Sequence, residues 1–205
     1  MKLFITNKIL DELDMKTDSR YVSWCPGIHS TIFFEKSGTE HYRLLSYLSK
    51  HLPKASTIVD IGTFYGASAL AFSMNTDVHI ITYDIVDNIT PDNRIRNEHV
   101  DTIYDIENIQ SRIKDCTEDI SVLSSARIIF LDVNPHDGIK ELDLLNKIRQ
   151  SGFRGILLVD DIHLNKEMNA FWNSIPERKK DVTKYGHWSG TGIVYFSEED
   201  EIYLM

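Results

Sequence analysis

Short apolar runs rich in Ile, Val and Leu alternate along this chain with longer segments of mixed polarity. Runs of this kind, bounded by glycine, proline or acidic residues, are typical of parallel strands covered on both faces. A hairpin of two further strands, near 180–185 and 191–197, is predicted to close the sheet. The five predicted parallel strands are 58–61, 78–84, 108–114, 126–132 and 155–160.

Helical patterns fill the segments between these strands. Ser37-x-x-Glu40 has the form of a capping box, so a helix that includes His41 on its apolar face is predicted to begin at Ser37. Apolar residues at helical spacing predict two more helices, at 139–150 and 165–175. This order of elements predicts one domain over residues 1–205. Its fold class is a three-layer α/β/α sandwich with a Rossmann-like, mostly parallel sheet of about seven strands.

The segment 58–68 joins the first predicted strand to a helix through a turn that contains Gly62 and Gly66. Gly62 can adopt backbone angles that other residues avoid, so a ligand can approach the backbone there. Small residues such as Ser68 open the helix, whose first amide groups are free to bind an anionic group. Phe64 stands where a dinucleotide fingerprint needs its middle glycine, so a pyrophosphate is disfavoured.

The second predicted strand ends at Asp84. A carboxylate at that place can accept hydrogen bonds from both hydroxyls of a ribose. Together with the anion-binding turn, Asp84 predicts a site for an adenosine that carries a carboxylate tail.

The stretch 60–66, Asp-Ile-Gly-Thr-Phe-Tyr-Gly, resembles the first motif of the class I S-adenosylmethionine-dependent methyltransferases, and Asp84 resembles their second. The resemblance implies S-adenosylmethionine as the cofactor and an antiparallel last strand in the sheet. Asp115 stands where these enzymes place groups near the adenine, although capping of a helix at 117–124 explains it comparably well. The cofactor-binding residues implied are Asp60, Gly62, Tyr65, Gly66, Ser68, Asp84 and Asp115.

Four segments resemble the metal-dependent O-methyltransferases of the catechol and caffeoyl-CoA type, and this resemblance implies methyl transfer to a hydroxyl. In the same resemblance Glu40 touches the cofactor, but the capping box explains Glu40 without function. The Asp160-Asp161 pair, where catechol-type enzymes have Asp-Asn, is more similar to sugar- and antibiotic-tailoring O-methyltransferases. It moves the expected acceptor toward a glycosyl or polyketide hydroxyl. The four segments are 37–40, 66–69, 130–132 and 157–161.

Three aspartates stand at the ends of neighbouring predicted strands: Asp132, Asp160 and Asp161. Like charges held close raise each other's pKa unless a cation neutralises them, so we expect one divalent cation there. Magnesium is expected, because it favours oxygen ligands and keeps bound water. Zinc is disfavoured, because no cysteine lies near in sequence and His136 and His163 are weak candidates as ligands. The alternative assigns Asp132 to acceptor positioning and the other two to helix capping or a solvated turn.

This sequence lacks the catalytic base of the catechol-type enzymes at the expected position. They carry a lysine three positions after the acid that matches Asp132, whereas this chain has Pro135 there and His136 next. An imidazole is suited to accepting a proton near neutral pH, so His136 and Asp132 are the candidate catalytic residues. A loop histidine in solvent is the equal alternative. His187 and Trp188, in the predicted hairpin turn, either line a substrate pocket or are exposed.

Composition narrows the expected partners. The chain has 22 basic and 31 acidic residues, a net charge of -9, which repels nucleic acid and anionic membranes. Cys25 and Cys116, the only cysteines, lack a metal-ligand spacing and are expected to pack in a reducing compartment. With no targeting pattern or membrane-length apolar run, we expect a cytoplasmic protein with a small-molecule substrate, and homo-oligomerisation stays open.

Two segments are less legible than the rest. Residues 1–36 are interpreted as a cap over the active site, in which Trp24, His29 and Phe33 either face substrate or pack. Residues 85–105 are polar and are interpreted as a lid. The resulting hypothesis is a metal-dependent O-methyltransferase. A metal-independent class I methyltransferase and a non-catalytic adenosyl-ligand binding protein are the alternatives.

Overall fold

Two sheets organise the computed structural model of the chain, which describes residues 1–15, 32–88 and 103–205. In chain order the strands are β1 (Lys2–Ile5), β2 (Thr57–Ile61), β3 (His79–Asp84), β4 (Ile109–Ile113), β5 (Ile128–Leu131), β6 (Ile156–Asp160), β7 (Lys179–Asp181), β8 (Thr191–Tyr195) and β9 (Glu201–Leu204). Seven of them form the central sheet in the order β4-β3-β2-β5-β6-β8-β7. The other two, β1 and β9, pair in parallel as a separate small sheet that the sequence patterns did not predict.

The direction of the strands confirms the predicted sheet. Strands β2 to β6 are all parallel, and β8 is antiparallel to both β6 and β7. The antiparallel strand therefore lies inside the sheet, and the short strand β7 forms its edge. The carboxyl ends of five parallel strands meet along one side, which is where open α/β sheets bind ligands.

Six helices lie within the described ranges: α1 (Asn7–Asp11), α2 (Tyr42–Lys50), α3 (Ala67–Ser73), α4 (Ile120–Ser125), α5 (Ile139–Gln150) and α6 (Lys166–Ser174). The prediction of a helix start at Ser37 is wrong, because α2 begins at Tyr42 with His41 as its N-cap. The backbone N–H and hydroxyl of Ser37 donate instead to Asp11 Oδ1, at 2.9 and 3.0 Å. The capping box is therefore absent, and Glu40 is free for another role.

Two hydrophobic cores, one on each face of the sheet, explain the near-continuous apolar character of the strands. Successive residues of β2 alternate between them: Ile58 belongs to the core that includes α2 and α3, whereas Val59 belongs to the core that includes α4, α5 and α6. Ile128 and Ile129 of β5 repeat the alternation. Because both faces of the central strands are covered, these strands are almost entirely apolar, and the polar side chains of Asp60 and Thr82 within them are hydrogen-bonded to each other. The predicted three-layer sandwich is confirmed.

Several smaller predictions have clear outcomes. Phe33 is buried and its ring stacks on Tyr42, so packing explains it. Cys116 is buried and unpaired, as expected. In the acidic segment 198–201, Asp200 is fully buried and pairs with Arg127 at 3.3 Å. Predictions for Trp24, Cys25 and His29, and for the part of the lid at 89–102, lie outside the described residues. Within the part of the chain described, the helices are too short or too polar to cross a membrane.

Candidate functional site

A cleft of about 530 Å³ opens at the carboxyl ends of the parallel strands. Its volume lies in the range of pockets that bind small molecules and cofactors. Four residues of the implied cofactor set, Asp60, Tyr65, Gly66 and Ser68, are not among those that line it. The proposed site residues that do line the cleft are Gly62, Asp84, Asp115, Asp132, His136, Asp160 and Asp161.

Gly62 has a structural reason to be glycine. Its φ is +103°, and a Cβ atom there would lie 1.6 Å from the carbonyl oxygen of Asp132. No side chain fits at that distance, so the close approach of the ends of β2 and β5 requires glycine. The sequence interpretation, in which Gly62 leaves room for a ligand, missed this neighbour. Gly62 nevertheless lines the cleft and binds the carbonyl oxygen of Tyr83 through its N–H, at 2.9 Å.

The carboxylate of Asp84 holds the glycine turn in place. Its Oδ2 accepts a hydrogen bond from the backbone N–H of Phe64 at 2.8 Å, and its Oδ1 accepts one from Val86 at 3.1 Å. Each carboxylate oxygen has a second lone pair, so Asp84 can accept further hydrogen bonds from a ligand in the cleft. Asp115 is similar: the backbone N–H of Thr117 donates to its Oδ1 at 2.8 Å and lowers its pKa. Asp115 caps the short helix that follows it, which confirms the capping interpretation, and its side chain also lines the cleft.

The glycine turn is supported by three residues that do not line the cleft: Asp60, Gly66 and Ser68. Asp60 is fully buried and accepts a hydrogen bond from the hydroxyl of Thr82 at 2.7 Å. Burial raises the pKa of Asp60 to about 6. Gly66 has a φ of +85° as the N-cap of α3, and Ile103 fills the space where a Cβ atom would lie. Ser68 is buried in the first turn of α3. These residues stabilise the turn without reaching the cleft.

The other end of the cleft carries the three strand-end acids. Asp160 is 3% exposed and Asp161 is 8% exposed, so the alternative of a solvated turn is wrong. The three acids do not gather their oxygens around one point. Among the described residues, possible metal-ligand atoms within 4.8 Å of one another form two sets. His41, Asp160 and His187 make up the nitrogen-rich set, and Asp132, His136 and Asp161 make up the carboxylate set.

Sequence reasoning missed His41 as a site residue and left His187 undecided. His41 was assigned to an apolar helix face, yet it lines the cleft and lies 3.4 Å (Nδ1) from Asp160 Oδ2. His187 also lines the cleft, with Nδ1 3.5 Å from Asp160 Oδ2 and 3.4 Å from Asp161 Oδ1. The neighbouring Trp188 is 65% exposed. Only the position of His187 beside two glycines in a hairpin turn could have indicated its role.

Charge is concentrated at this acidic end. Burial raises the pKa of Asp132 well above its usual range, and the nearby Asp160 carboxylate raises it further. Burial also favours a raised pKa for Asp160, but the positive His41 and His187 outweigh burial and lower it. For His187, burial lowers the pKa, but contacts with Asp160 and Asp161 raise it to about 10. The two histidines therefore act as the counter-charges of Asp160.

His136 lies between two acids, in the loop just before α5. Its Nδ1 is 3.4 Å from Asp161 Oδ2 and 4.0 Å from Glu141 Oε1. Glu141 is buried, and burial raises its pKa. His163, in contrast, points away from the cleft: its Nε2 lies 2.7 Å from Asp181 Oδ2, and it is not among the residues that line the cleft. Of His136 and His163, only His136 therefore lines the cleft.

Comparisons with known proteins agree with the geometry at the level of the fold. No protein-family model and no curated protein sequence matches the chain. A methyltransferase structure from Geobacter sulfurreducens aligns with a TM-score of 0.59 at 16% identity, covering 93% of this chain and 96% of that one. The O-methyltransferase TomG from Streptomyces achromogenes, involved in tomaymycin synthesis and solved with SAM, aligns with a TM-score of 0.59 at 15% identity, covering 93% and 95%.

A methyltransferase from Podospora anserina, solved with SAH, gives a TM-score of 0.52 at 15% identity and covers 75% of this chain and 77% of its own. At such low identities the likeness concerns the fold alone. The chain therefore shares its fold with these solved methyltransferases, two of which hold SAM or SAH, as the sequence resemblance implied.

Proposed function

We propose that this protein is an S-adenosylmethionine-dependent O-methyltransferase that acts on a small-molecule hydroxyl with the help of a divalent cation. One observation carries the proposal: a single cleft joins the strand-end acid Asp84 to the half-buried Asp132 and the buried Asp161. Methyl transfer needs an adenosyl site and an activated hydroxyl side by side. The fold shared with methyltransferases solved with SAM or SAH supports the same function.

The residues at one end of the cleft fit the cofactor. Asp84 has acceptor capacity left for ribose hydroxyls, and Asp115 offers an acceptor near the end of β4. When bound, S-adenosylmethionine supplies a methyl group on a positively charged sulfur. The cleft wall contributes several carboxylates that suit this charge. Displacement at the methyl carbon is in line, so the chain's task is to hold both reactants in one orientation.

The residues at the other end fit a divalent cation. Desolvation first, and then repulsion from Asp160, raise the pKa of Asp132, and a cation would offset that repulsion. A cation that binds an acceptor hydroxyl lowers the pKa of the hydroxyl. Asp132 and Asp161 supply the carboxylate oxygens of this set, ligands that suit magnesium or manganese, whereas His136 is kept for the proton of the acceptor.

His136 is the proposed base. Its Nδ1 faces Asp161, which orients the ring and leaves Nε2 to accept the proton of the acceptor hydroxyl. Asp132 lies beside it in the same set and positions the acceptor. The expected acceptor is a glycosyl or polyketide hydroxyl, on the strength of the adjacent Asp160-Asp161 pair.

The test has two stages. Calorimetric titration with S-adenosylmethionine is followed by a screen of glycosyl, polyketide and phenolic acceptors, in chelator and after return of magnesium, manganese or zinc. We expect cofactor binding, a methylated product, and loss of turnover in chelator that a cation restores. Full turnover in chelator would overturn the role of the metal and favour a metal-independent methyltransferase. Cofactor binding without any product would favour a binding protein, and absence of cofactor binding would overturn the proposal as a whole.

A further inference from the structure

The nitrogen-rich set brings together three residues that are far apart in the sequence. His41 precedes α2, Asp160 is the last residue of β6, and His187 lies in the loop before β8. All three line the cleft, and His41 and Asp160 are almost completely buried. Two buried imidazoles around one buried carboxylate are costly unless each polar atom has a partner.

The distances within this set differ from those of ordinary ion pairs. Asp160 Oδ2 lies 3.4 Å from His41 Nδ1 and 3.5 Å from His187 Nδ1. A direct hydrogen bond between an imidazolium and a carboxylate is shorter, about 2.7–2.9 Å. Donor atoms bound tetrahedrally to one zinc ion at 2.0–2.1 Å lie about 3.3 Å apart. The observed separations therefore match ligands of a shared metal better than a hydrogen-bonded pair.

The Nδ1 atom of His41 provides a second, independent observation. It is buried and has no hydrogen-bond partner among the described residues, because its contact with Asp160 lacks the angle of a hydrogen bond. The ring of His41 is held by edge and tilted contacts with Tyr42 and Phe130, so Nδ1 stays directed at Asp160. A buried nitrogen without a hydrogen bond, held in this direction, is placed to bind a metal ion next to Asp160.

Neighbouring side chains orient the members of the nitrogen-rich set through hydrogen bonds and charge contacts. The hydroxyl of Thr191 donates to the other oxygen of Asp160, at 3.3 Å, which leaves Oδ2 for the two histidines. Glu40 Oε1 lies 3.6 Å from Nε2 of His187, on the ring edge opposite Nδ1. A carboxylate behind a ligating imidazole is a common outer partner that orients the ring. Nδ1 of His187 also contacts the Ser189 hydroxyl at 2.7 Å, a contact that a bound metal would replace.

We propose that His41, Asp160 and His187 form a binding site for one zinc-like transition-metal ion, separate from the carboxylate set. Two neutral imidazoles and one carboxylate suit zinc, whereas magnesium prefers oxygen ligands. The ion would displace the protons with which the two histidines otherwise compensate Asp160. Three protein ligands that face a cleft leave a position for water or a substrate oxygen, as in catalytic zinc sites. The site does not depend on the proposed methyl transfer, because no cofactor atom takes part in it.

The experiment is a metal titration of the full chain without cofactor or acceptor, after metal is removed by a chelator. The parent protein is the Asp132→Asn variant, in which the carboxylate set is weakened. Zinc binding is followed by calorimetry, and cobalt binding by visible absorption, which intensifies when Co²⁺ becomes four-coordinate. We expect one ion per chain and the intensified spectrum, with little response to magnesium.

Adding His187→Ala to this parent should weaken zinc binding by roughly a hundredfold or more and abolish the cobalt spectrum, since loss of an outer partner alone costs 10- to 100-fold. His187 is partly exposed in a loop, so this variant is preferred to one at buried His41, and circular dichroism checks its fold. Adding His163→Ala, a histidine outside the cleft, is the matched control and should change nothing. Zinc binding unaffected by His187→Ala, or lost in Asp132→Asn alone, would overturn the proposal. Absence of methyl transfer would leave all these results unchanged.

Discussion

The two ends of the cleft compensate their charges in different ways. At the end proposed to bind the cofactor, called the cofactor end below, Asp84 and Asp115 accept hydrogen bonds from backbone N–H groups, two of them only two residues away in the chain. At the acidic end, Asp160 is compensated by His41 and His187, which come from distant elements. The first end is thus assembled largely by local chain geometry, and the second only by tertiary packing.

This difference predicts how each end responds to change. The carboxylates of the cofactor end are anchored before any ligand binds, so a substitution there removes contacts to the ligand and local support together. At the acidic end, carboxylates and imidazoles neutralise one another. A substitution there is expected to change turnover more than affinity for the cofactor. Three substitutions separate the two ends, and they follow in order of expected effect.

The largest effect is expected from His136→Ala at the acidic end. If His136 accepts the acceptor proton, turnover should fall by roughly two to four decades while cofactor affinity is kept. Turnover of the unsubstituted enzyme should also decline as the pH falls, because a protonated imidazole cannot accept a proton. Steady-state kinetics and calorimetry measure the two quantities separately.

His163→Ala is the matched control for this change, since His163 pairs with Asp181 away from the cleft. It should leave turnover within about twofold, as expected for a substitution outside the site. Near-normal turnover of His136→Ala would show that this histidine is not the base.

Asp84→Ala should weaken S-adenosylmethionine binding by roughly ten- to a hundredfold, because hydrogen bonds to a charged group contribute about 1.5–3 kcal/mol each. The turn also loses its contact with the N–H of Phe64. Asp77→Ala, at an exposed aspartate paired with Lys54, is the control and should bind normally. Calorimetric titration measures the affinity of Asp84→Ala for the cofactor, after circular dichroism has shown that the variant is folded. Unchanged affinity would show that Asp84 does not bind the cofactor.

The smallest effect is expected from Asp115→Ala. Loss of a single acceptor near the adenine should cost less than about tenfold in cofactor affinity, and loss of the cap should lower the free energy of unfolding by about 1 kcal/mol. Asp115→Ser keeps the capping hydroxyl and should recover the stability but not the affinity. Thermal unfolding and calorimetry on both variants separate these two contributions. Full recovery of affinity in the serine variant would show that Asp115 acts only as a cap.

The sequence was sufficient for most of the fold because the sheet is buried on both faces. Strands such as β5 and β6 are nearly all apolar, and the acids at their ends mark where burial stops. The small sheet of β1 and β9 was missed, since each is a four-residue strand whose pairing joins opposite ends of the chain. The start of α2 was wrongly predicted at Ser37, because Asp11 binds Ser37 from outside the local segment.

By itself, the sequence determined the glycine turn, the strand-end acids Asp84, Asp132, Asp160 and Asp161, and the positions of the five parallel strands along the chain. These features follow from local backbone preference and from the contrast between buried strands and polar ends. Only the tertiary structure decided that His41 and His187 flank Asp160, and that Asp132 joins His136 and Asp161 instead of Asp160. The physical reason is that the partner of a buried charge is chosen by packing between distant elements, which no local pattern records.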